Sequence, residues 1–241
     1  MPECQLPITE GFTAVDDYQR FLQTFHLKKF DKGELILVQG EVPDCALVVK
    51  KGVVKTYNLT AQGEEKPIAF DIKGEIFPIG WVFKKSRRAQ YYYEAFTDVA
   101  LYCVPPSEYL SYIQHDTARM FKVFDYFVTN YLGYQMRINA LEQSKAAAKV
   151  LHTIHFLCIR FGVNIKENLV KVQVPLTQQD LANFMGLTRE TTGIELKKLQ
   201  RQGILTYKKQ NYIVRTDKLS ELLDEEYDVS QMDTDQVRIE L

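Results

Sequence analysis

The chain has 241 residues, enough for one large domain or two of ordinary size, and 46% of them are hydrophobic. No apolar run approaches the roughly 20 residues that span a bilayer, and the N-terminus lacks the basic start and apolar core of a secretory signal, so we expect neither a membrane partner nor export. The cysteines Cys4, Cys45, Cys103 and Cys158 are widely spaced, which predicts free thiols in a reducing compartment, the cytoplasm.

Charge is distributed unevenly along the chain. The formal net charge is −1, yet residues 145–218 hold 13 lysines and arginines against five aspartates and glutamates, a net charge of +8. Residues 219–241 hold eight acidic residues and one arginine. A basic block in an otherwise acidic chain indicates a polyanionic partner for that block, with a solvated basic face as the alternative.

Residues 1–115 are predicted to form a β-domain. From about Phe30 to Val104, glycines and turn residues separate short runs rich in β-branched and aromatic residues: "GELILVQG", "ALVVKKGVVKTYNL", "QGEEKPIAFDIKGE" and "YYYEAFTDVALYCV". Strands this short, with a turn roughly every ten residues, favour an antiparallel sandwich or barrel.

A long helix is predicted within residues 116–143, where proline is absent from 117–142 and glycine occurs once. Its apolar residues follow alternating steps of four and three, the heptad pattern of a helix pair. That seam consists of Met120, Phe124, Phe127, Tyr131, Tyr134, Ile138 and Leu141. A second stripe, Phe121, Val128, Leu132 and Met136, predicts that another face covers the β-domain. We expect the seam to form a homodimer; a single buried helix in a monomer is the alternative.

Residues 144–220 are predicted to contain a helix over 144–161, a strand or edge strand cut by Pro175, two short helices, and a hairpin in "GILTYKKQNYIVRT". The acidic tail, 221–241, is expected to have little fixed structure after about Tyr227.

The two short helices have the features of a helix-turn-helix. Thr177 is placed to cap the first helix with Asp180 in the reciprocal position, and Thr188 to cap the second. Ala182 allows a close helix approach, and Gly186 suits a turn that needs a positive φ. The start of the second helix of such a motif enters the DNA major groove.

Each exposed residue of the second helix has a predicted contact. Arg189 matches guanine, Glu190 matches cytosine N4, and Ile194 matches the thymine methyl group. The remaining predicted DNA-binding residues, chiefly for phosphates, are Thr177, Gln179, Thr188, Thr191 and Lys197 on the helices and Lys208 and Lys209 on the hairpin tip.

The chain resembles the cAMP receptor protein/FNR (Crp/Fnr) family of bacterial transcription regulators over roughly residues 12–218. The β-domain pattern "FDKGELILVQGEVPDCALVVKKGVVKTY", the long helix followed by "AAAKVLHTI", and "LTRETTGIELKKLQRQGIL" carry this resemblance. It implies an α+β fold: an N-terminal jelly roll of the cyclic-nucleotide-binding type, a dimerisation helix and a C-terminal winged helix. It also implies a homodimer on a near-palindromic site, and it offers "GVNIKENLVK" as a candidate contact for RNA polymerase.

The chain departs from the family at two sites. Where the family commonly has a base-contacting arginine, this chain has Ile194. In the cyclic-nucleotide site, Ile79, beside Gly80, replaces the ribose-binding glutamate, and Ala89 and Gln90 replace the phosphate-binding Arg-Ser pair. Tyr134 and Gln135 replace small hydroxyl residues at the adenine. We therefore expect cAMP not to be the effector and assign no cofactor, although Arg87 and Arg88 offer a substitute through a shifted loop.

Other functions are less well supported. His152, His155 and Cys158 share a helix face suited to zinc, but helix packing is the commoner meaning, and no metal is predicted. Cys4 alone near the N-terminus does not make an iron–sulfur site. The sequence contains neither a nucleophile–base pair nor a phosphate-binding loop that would indicate an enzyme. The alternative function is a sensor of cAMP or another small ligand whose winged helix contacts proteins.

Overall fold

The computed structural model describes residues 15–227. The helices are α1 Val15–Gln23, α2 Ile79–Val82, α3 Pro106–Gln114, α4 Thr117–Glu142, α5 Ala146–Phe161, α6 Gln178–Met185, α7 Arg189–Arg201 and α8 Thr216–Tyr227. The strands are β1 Leu27–Phe30, β2 Leu35–Leu37, β3 Ala46–Lys51, β4 Val54–Leu59, β5 Glu65–Asp71, β6 Ile76–Phe77, β7 Tyr92–Ala95, β8 Val99–Val104, β9 Gly162–Lys166, β10 Leu169–Val172, β11 Leu205–Lys208 and β12 Asn211–Arg215. No helix among the described residues is long and apolar enough to cross a membrane.

The N-terminal unit, which extends to Leu132, contains two four-stranded antiparallel sheets. Their strand orders are β1-β8-β3-β6 and β2-β7-β4-β5. One core cluster combines residues of both sheets, such as Leu47 of β3 and Val54 of β4, so the sheets enclose this core between them. The predicted antiparallel β-domain is confirmed.

The other face of the β1-β8-β3-β6 sheet is covered by helices. Val48 and Tyr102 of this sheet pack in a second cluster with Tyr18 of α1 and Tyr109 of α3. Because β3 has apolar neighbours on both faces, its apolar run is continuous from Ala46 rather than alternating. The sequence analysis did not predict α1 or α3.

The prediction that all cysteines are free thiols is wrong for two of them. Cys45 and Cys103 form a disulfide, with 5.5 Å between their Cα atoms, because the antiparallel strands β3 and β8 pair beside them. They are 58 positions apart in sequence, so spacing alone gave no indication of the pairing. Cys158 is a buried free thiol, and Cys4 lies outside the described residues.

Helix α4 has the predicted extent, and residues 143–145 separate it from α5. The compact units divide inside this helix, after Leu132, rather than at 115/116 or 143/144. In the C-terminal unit a Cβ on Gly133 would lie 3.6 Å from Arg160 Cδ. Arg137 Cζ lies 3.4 Å from the centre of the Phe184 ring. Gly133 and Arg137, in the C-terminal part of α4, therefore pack against α5 and α6.

The C-terminal unit contains an antiparallel sheet of order β11-β12-β10-β9. Residues 162–171, the candidate contact for RNA polymerase, form the β9–β10 hairpin, and β10 is an inner strand, the first of the two predicted alternatives. Helix α8 extends into the segment assigned to the acidic tail and ends at Tyr227, with Leu223 buried. The remainder of the predicted tail, 228–241, lies outside the described residues.

Candidate nucleic-acid interface

Helix α6 begins with the predicted capping box. The Asp180 backbone amide donates to Thr177 Oγ1 over 3.1 Å, and the Thr177 amide donates to Asp180 Oδ2 over 2.8 Å. The Thr177 hydroxyl also donates to this carboxylate, over 2.6 Å. Thr177, which was predicted to contact DNA, therefore uses its hydroxyl within the cap.

The turn after α6 depends on Gly186 and Ala182. Gly186 has φ 67°, in the left-handed region where a side chain is unfavourable. Ala182 is fully buried, and its carbonyl accepts the Leu187 amide over 3.0 Å. These contacts hold α7 close against α6.

Helix α7 has one buried and one exposed side, as predicted. Leu196 and Leu199 are buried together with Thr192. Arg189 and Glu190 are exposed in the first turn, and neither side chain makes a hydrogen bond or ion pair with any residue among 15–227. Both side chains are therefore available to an external partner.

Other predicted contacts of α7 are distributed over its exposed face. Ile194 is 56% exposed. Lys197 is exposed, whereas Lys198 pairs with Glu195 over 2.8 Å. The Thr191 amide donates to Thr188 Oγ1 over 3.1 Å, and the Thr188 hydroxyl donates to that of Thr191 over 2.9 Å. The two threonines thus form the predicted cap and share their hydroxyls.

The hairpin β11–β12 forms the predicted wing. Lys208 pairs with Asn211 across it, which leaves Lys209 and Gln210 in the turn, and Lys209 has φ 56°. Lys208 and Lys209 are both exposed. Gln179 is exposed as well, at the start of α6, and donates to Asn183 over 2.8 Å.

The interface also contains a contact that the sequence analysis did not predict. Gln178 Nε2 donates to the Tyr207 hydroxyl over 3.0 Å, which joins α6 to β11. A Cβ on Gly193 of α7 would lie 3.3 Å from Gln178 Oε1. A glycine inside a helical pattern is the only signal that pointed to this close approach.

On α4, the predicted seam is exposed except at one residue. The exposed fractions are Met120 52%, Phe124 65%, Tyr131 62%, Tyr134 49%, Ile138 58% and Leu141 36%. Phe127 is half-buried, with its ring 5.4 Å from that of Phe83, so part of its surface is already covered within the single chain. Phe121 and Val128, expected on the covered face, are 67% and 37% exposed. Phe121, Phe124, Val128, Tyr131 and Ile138 are called the exposed stripe below.

The predicted effector residues of the N-terminal unit lie close together around α2. A Cβ on Gly80, next to Ile79, would lie 3.1 Å from Gln90 Oε1. Ala89 is buried in the core between the sheets. Its amide donates to the Glu41 carbonyl, and its carbonyl accepts the Gly40 amide, each over 2.8 Å.

The remaining residues that were considered for an effector or a metal ion do not form a common site with α2. Arg88 donates to the Gly40 carbonyl over 2.8 Å. The predicted pocket residues Tyr134 and Gln135 belong to the C-terminal unit and are exposed on α4. His152 and Cys158 are buried in α5, where burial raises the pKa of the Cys158 thiol to about 12. Among the described residues, no three histidine, cysteine or acidic side chains are grouped to hold a metal ion.

Two family models match the chain. A cyclic nucleotide-binding domain matches residues 27–116, and a Crp-like helix-turn-helix domain matches residues 148–222. Together they cover the β-domain, α5, the helix-turn-helix and the wing.

Similar proteins include two curated regulators and two solved structures. Electron transport regulator A of Shewanella oneidensis is 22% identical over 210 residues, which cover 87% of this chain and 82% of that protein. The fumarate and nitrate reduction regulatory protein of Escherichia coli is 24% identical over 207 residues, 84% and 79% of the two chains. FixK2 from Bradyrhizobium japonicum superposes with a TM-score of 0.67 at 21% identity, covering 82% of this chain and 96% of FixK2. A CooA mutant from Carboxydothermus hydrogenoformans superposes with a TM-score of 0.68 at 18% sequence identity, covering 89% of this chain and 94% of the CooA chain.

Proposed function

We propose that the chain is a transcription regulator of the Crp/Fnr family, which binds a near-palindromic DNA site as a homodimer without cAMP as its effector. It is a regulator rather than an enzyme. The observation that carries the proposal is the start of α7, where two exposed charged side chains stand beside the unpaired amides of a helix N-terminus. Since DNA is its partner, its place of action is the cytoplasm.

Arg189 and Glu190 are the proposed base-reading residues. Arginine donates two hydrogen bonds to the O6 and N7 atoms of guanine, and glutamate accepts one from cytosine N4. Neither side chain is held by a partner among residues 15–227, so no bond within this part of the chain must break before they enter a groove. Lys197, Lys208 and Lys209 are exposed around them and suit phosphate contacts.

Ile194 is proposed to change the base preference. It is exposed on the same helix, where the family commonly has an arginine. An isoleucine side chain cannot donate to guanine, but it packs against a thymine methyl group. The half-site of this regulator should therefore differ at that position from sites read through an arginine.

The proposed dimer forms through the exposed stripe of α4. Its spacing in steps of three, four, three and seven matches the seam of paired helices. A monomer would leave these apolar side chains in water, and a large exposed apolar patch marks an interaction surface. A second copy presents the same stripe, so a two-fold pairing is self-complementary. Each α7 then reads one half-site, with centres about 34 Å apart.

We exclude cAMP as the effector because the segment between α2 and β7 lacks the residues that would bind its cyclic phosphate. A cyclic phosphate requires a cation or several donors to compensate its charge. At the two family positions for that role stand Ala89, which is buried and bonded through its backbone, and Gln90. The nearby Arg88 guanidinium donates to the Gly40 carbonyl. An effector of other chemistry would have to be recognised differently.

The base-reading role is tested with Arg189→Ala. Removing a bidentate contact to guanine should cost roughly 1–3 kcal/mol of discrimination at one base position in each half-site. The preference at other positions should remain, which competition binding against single-base variants of the selected site would measure. An unchanged preference at every position would remove Arg189 from the interface.

A further inference from the structure

Three parts of the C-terminal unit meet at one side chain, Gln178. It is the first residue of α6, directly after the Thr177 cap. Its Nε2 donates to the Tyr207 hydroxyl on β11 over 3.0 Å. Its Oε1 lies 3.3 Å from the position that a Cβ on Gly193 of α7 would take. The side chain thus extends from α6 past the recognition helix to the wing strand.

Gly193 is explained by this contact. A glycine inside a helix costs about 1 kcal/mol relative to alanine, and no positive φ requires one here. A methyl group at this position would be tighter against Gln178 Oε1 than most such contacts, so the Gln178 side chain would have to move by a few tenths of an ångström. The glycine therefore opens the space through which Gln178 passes across α7.

Tyr207 transmits the contact to the wing tip. Its ring stacks on Tyr212, with 5.7 Å between the centroids, and Tyr212 is only 1% exposed. The stacking fixes the plane of the Tyr207 ring, and the hydrogen bond from Gln178 fixes the position of the Tyr207 hydroxyl group. The next residue is Lys208, at the last paired position before the turn.

We propose that Gln178, Gly193 and Tyr207 form a clamp that sets the position of the wing relative to the recognition helix, with Gln178 as a positioning residue. This rests on the proposed function, because it assigns the wing lysines to DNA phosphates. The first turn of α7, which carries Arg189 and Glu190, is capped separately by Thr188. Opening the clamp should therefore weaken the phosphate contacts of the wing and leave base preference intact.

Salt dependence separates the two kinds of contact. The logarithm of the binding constant falls with the logarithm of salt concentration by about 0.9 for each phosphate contact. The slope is measured for the full-length wild type, Tyr207→Phe and Gln178→Ala, on the selected duplex and on a duplex of random sequence. Tyr212→Phe is the matched control: it makes the same change on the same hairpin, but its buried hydroxyl has no partner among the described residues.

Tyr207→Phe and Gln178→Ala should each reduce the steepness of the slope by about 2 per dimer, one contact for each wing. Tyr212→Phe should keep the wild-type slope, and all variants should keep the wild-type base preference. Gly193→Ala should reproduce the reduced slope in the wild type and add nothing in the Gln178→Ala background, since both changes act on one contact.

A wild-type slope in Tyr207→Phe, with thermal unfolding unchanged, would overturn the clamp. So would an equal reduction in Tyr212→Phe, because stacking and not the hydrogen bond would then position the wing. A wild type without any base preference would instead contradict the proposed function. The slopes on the random duplex would still decide the clamp in that case.

Discussion

The two units use their polar groups in opposite ways. In the C-terminal unit, Arg189 and Glu190 project from the start of α7 and pair with no residue among 15–227. In the N-terminal unit, the segment around Ala89 is closed by hydrogen bonds from its own backbone and from Arg88 to residues 40 and 41. The side chains of the first region are available to hydrogen-bond with an external partner. The polar groups of the second region are already hydrogen-bonded to other residues of the same unit. We infer that a chain can keep its proposed DNA-reading surface while its proposed nucleotide site is altered.

The largest effect on DNA affinity is expected from breaking the proposed dimer, because the two α7 helices would then no longer bind both half-sites at once. Phe124→Asp places a charge at the centre of the exposed stripe, where the residue is 65% exposed in the single chain. Loss of the second half-site should weaken binding to a palindrome by about 10²–10⁴-fold, because simultaneous binding is lost. Analytical ultracentrifugation should show a monomer that remains folded.

Asp125→Asn serves as the control, since Asp125 is an exposed neighbour outside the stripe. It should remain dimeric and bind the palindrome like the wild type. A Phe124→Asp dimer with full affinity would show that another surface joins the subunits.

The second largest effect is expected on the stability of the N-terminal unit alone. Cys45→Ala removes the disulfide to Cys103 and should lower the free energy of unfolding of that unit by roughly 2–4 kcal/mol. Trp81 is the only tryptophan and belongs to this unit, so its fluorescence in a urea titration reports the change.

Adding a reductant should bring the wild type to the level of the variant and leave the variant unchanged. Equal stability of wild type and variant under oxidising conditions would mean that the two thiols are not paired.

The smallest effect concerns the C-terminal unit. Thr192 is fully buried in α7, and its hydroxyl has no hydrogen-bond partner among the described residues. Thr192→Val keeps the shape and removes the unsatisfied group, so the free energy of unfolding should rise by about 1 kcal/mol. Circular dichroism in denaturant should detect the shift, while the Trp81 transition stays in place. A loss of stability would reveal a partner for the hydroxyl.

The features that the sequence predicted well are local. The capping box joins Thr177 to Asp180, three residues away, and the left-handed turn needs only Gly186, so adjacent residue types suffice. The pattern of α7 follows in the same way from the spacing of Leu196 and Leu199.

The features that it missed depend on residues far apart in the chain. Cys45 and Cys103 are 58 positions apart, and Gln178 and Tyr207 are 29 apart. On α4, Phe127 and Val128 are both apolar, so periodicity alone did not separate them. Packing against Phe83 decides that Phe127 is covered while Val128 is exposed.

Selection from a random duplex library tests the central claim most directly. The purified full-length protein would be used near physiological salt, with and without cAMP. We expect one near-palindrome to be enriched, with the same sequence and the same enrichment in both conditions. A palindrome recovered only with cAMP would contradict the exclusion of cAMP, and the absence of any enriched sequence in both would contradict DNA reading by α7 in the protein alone.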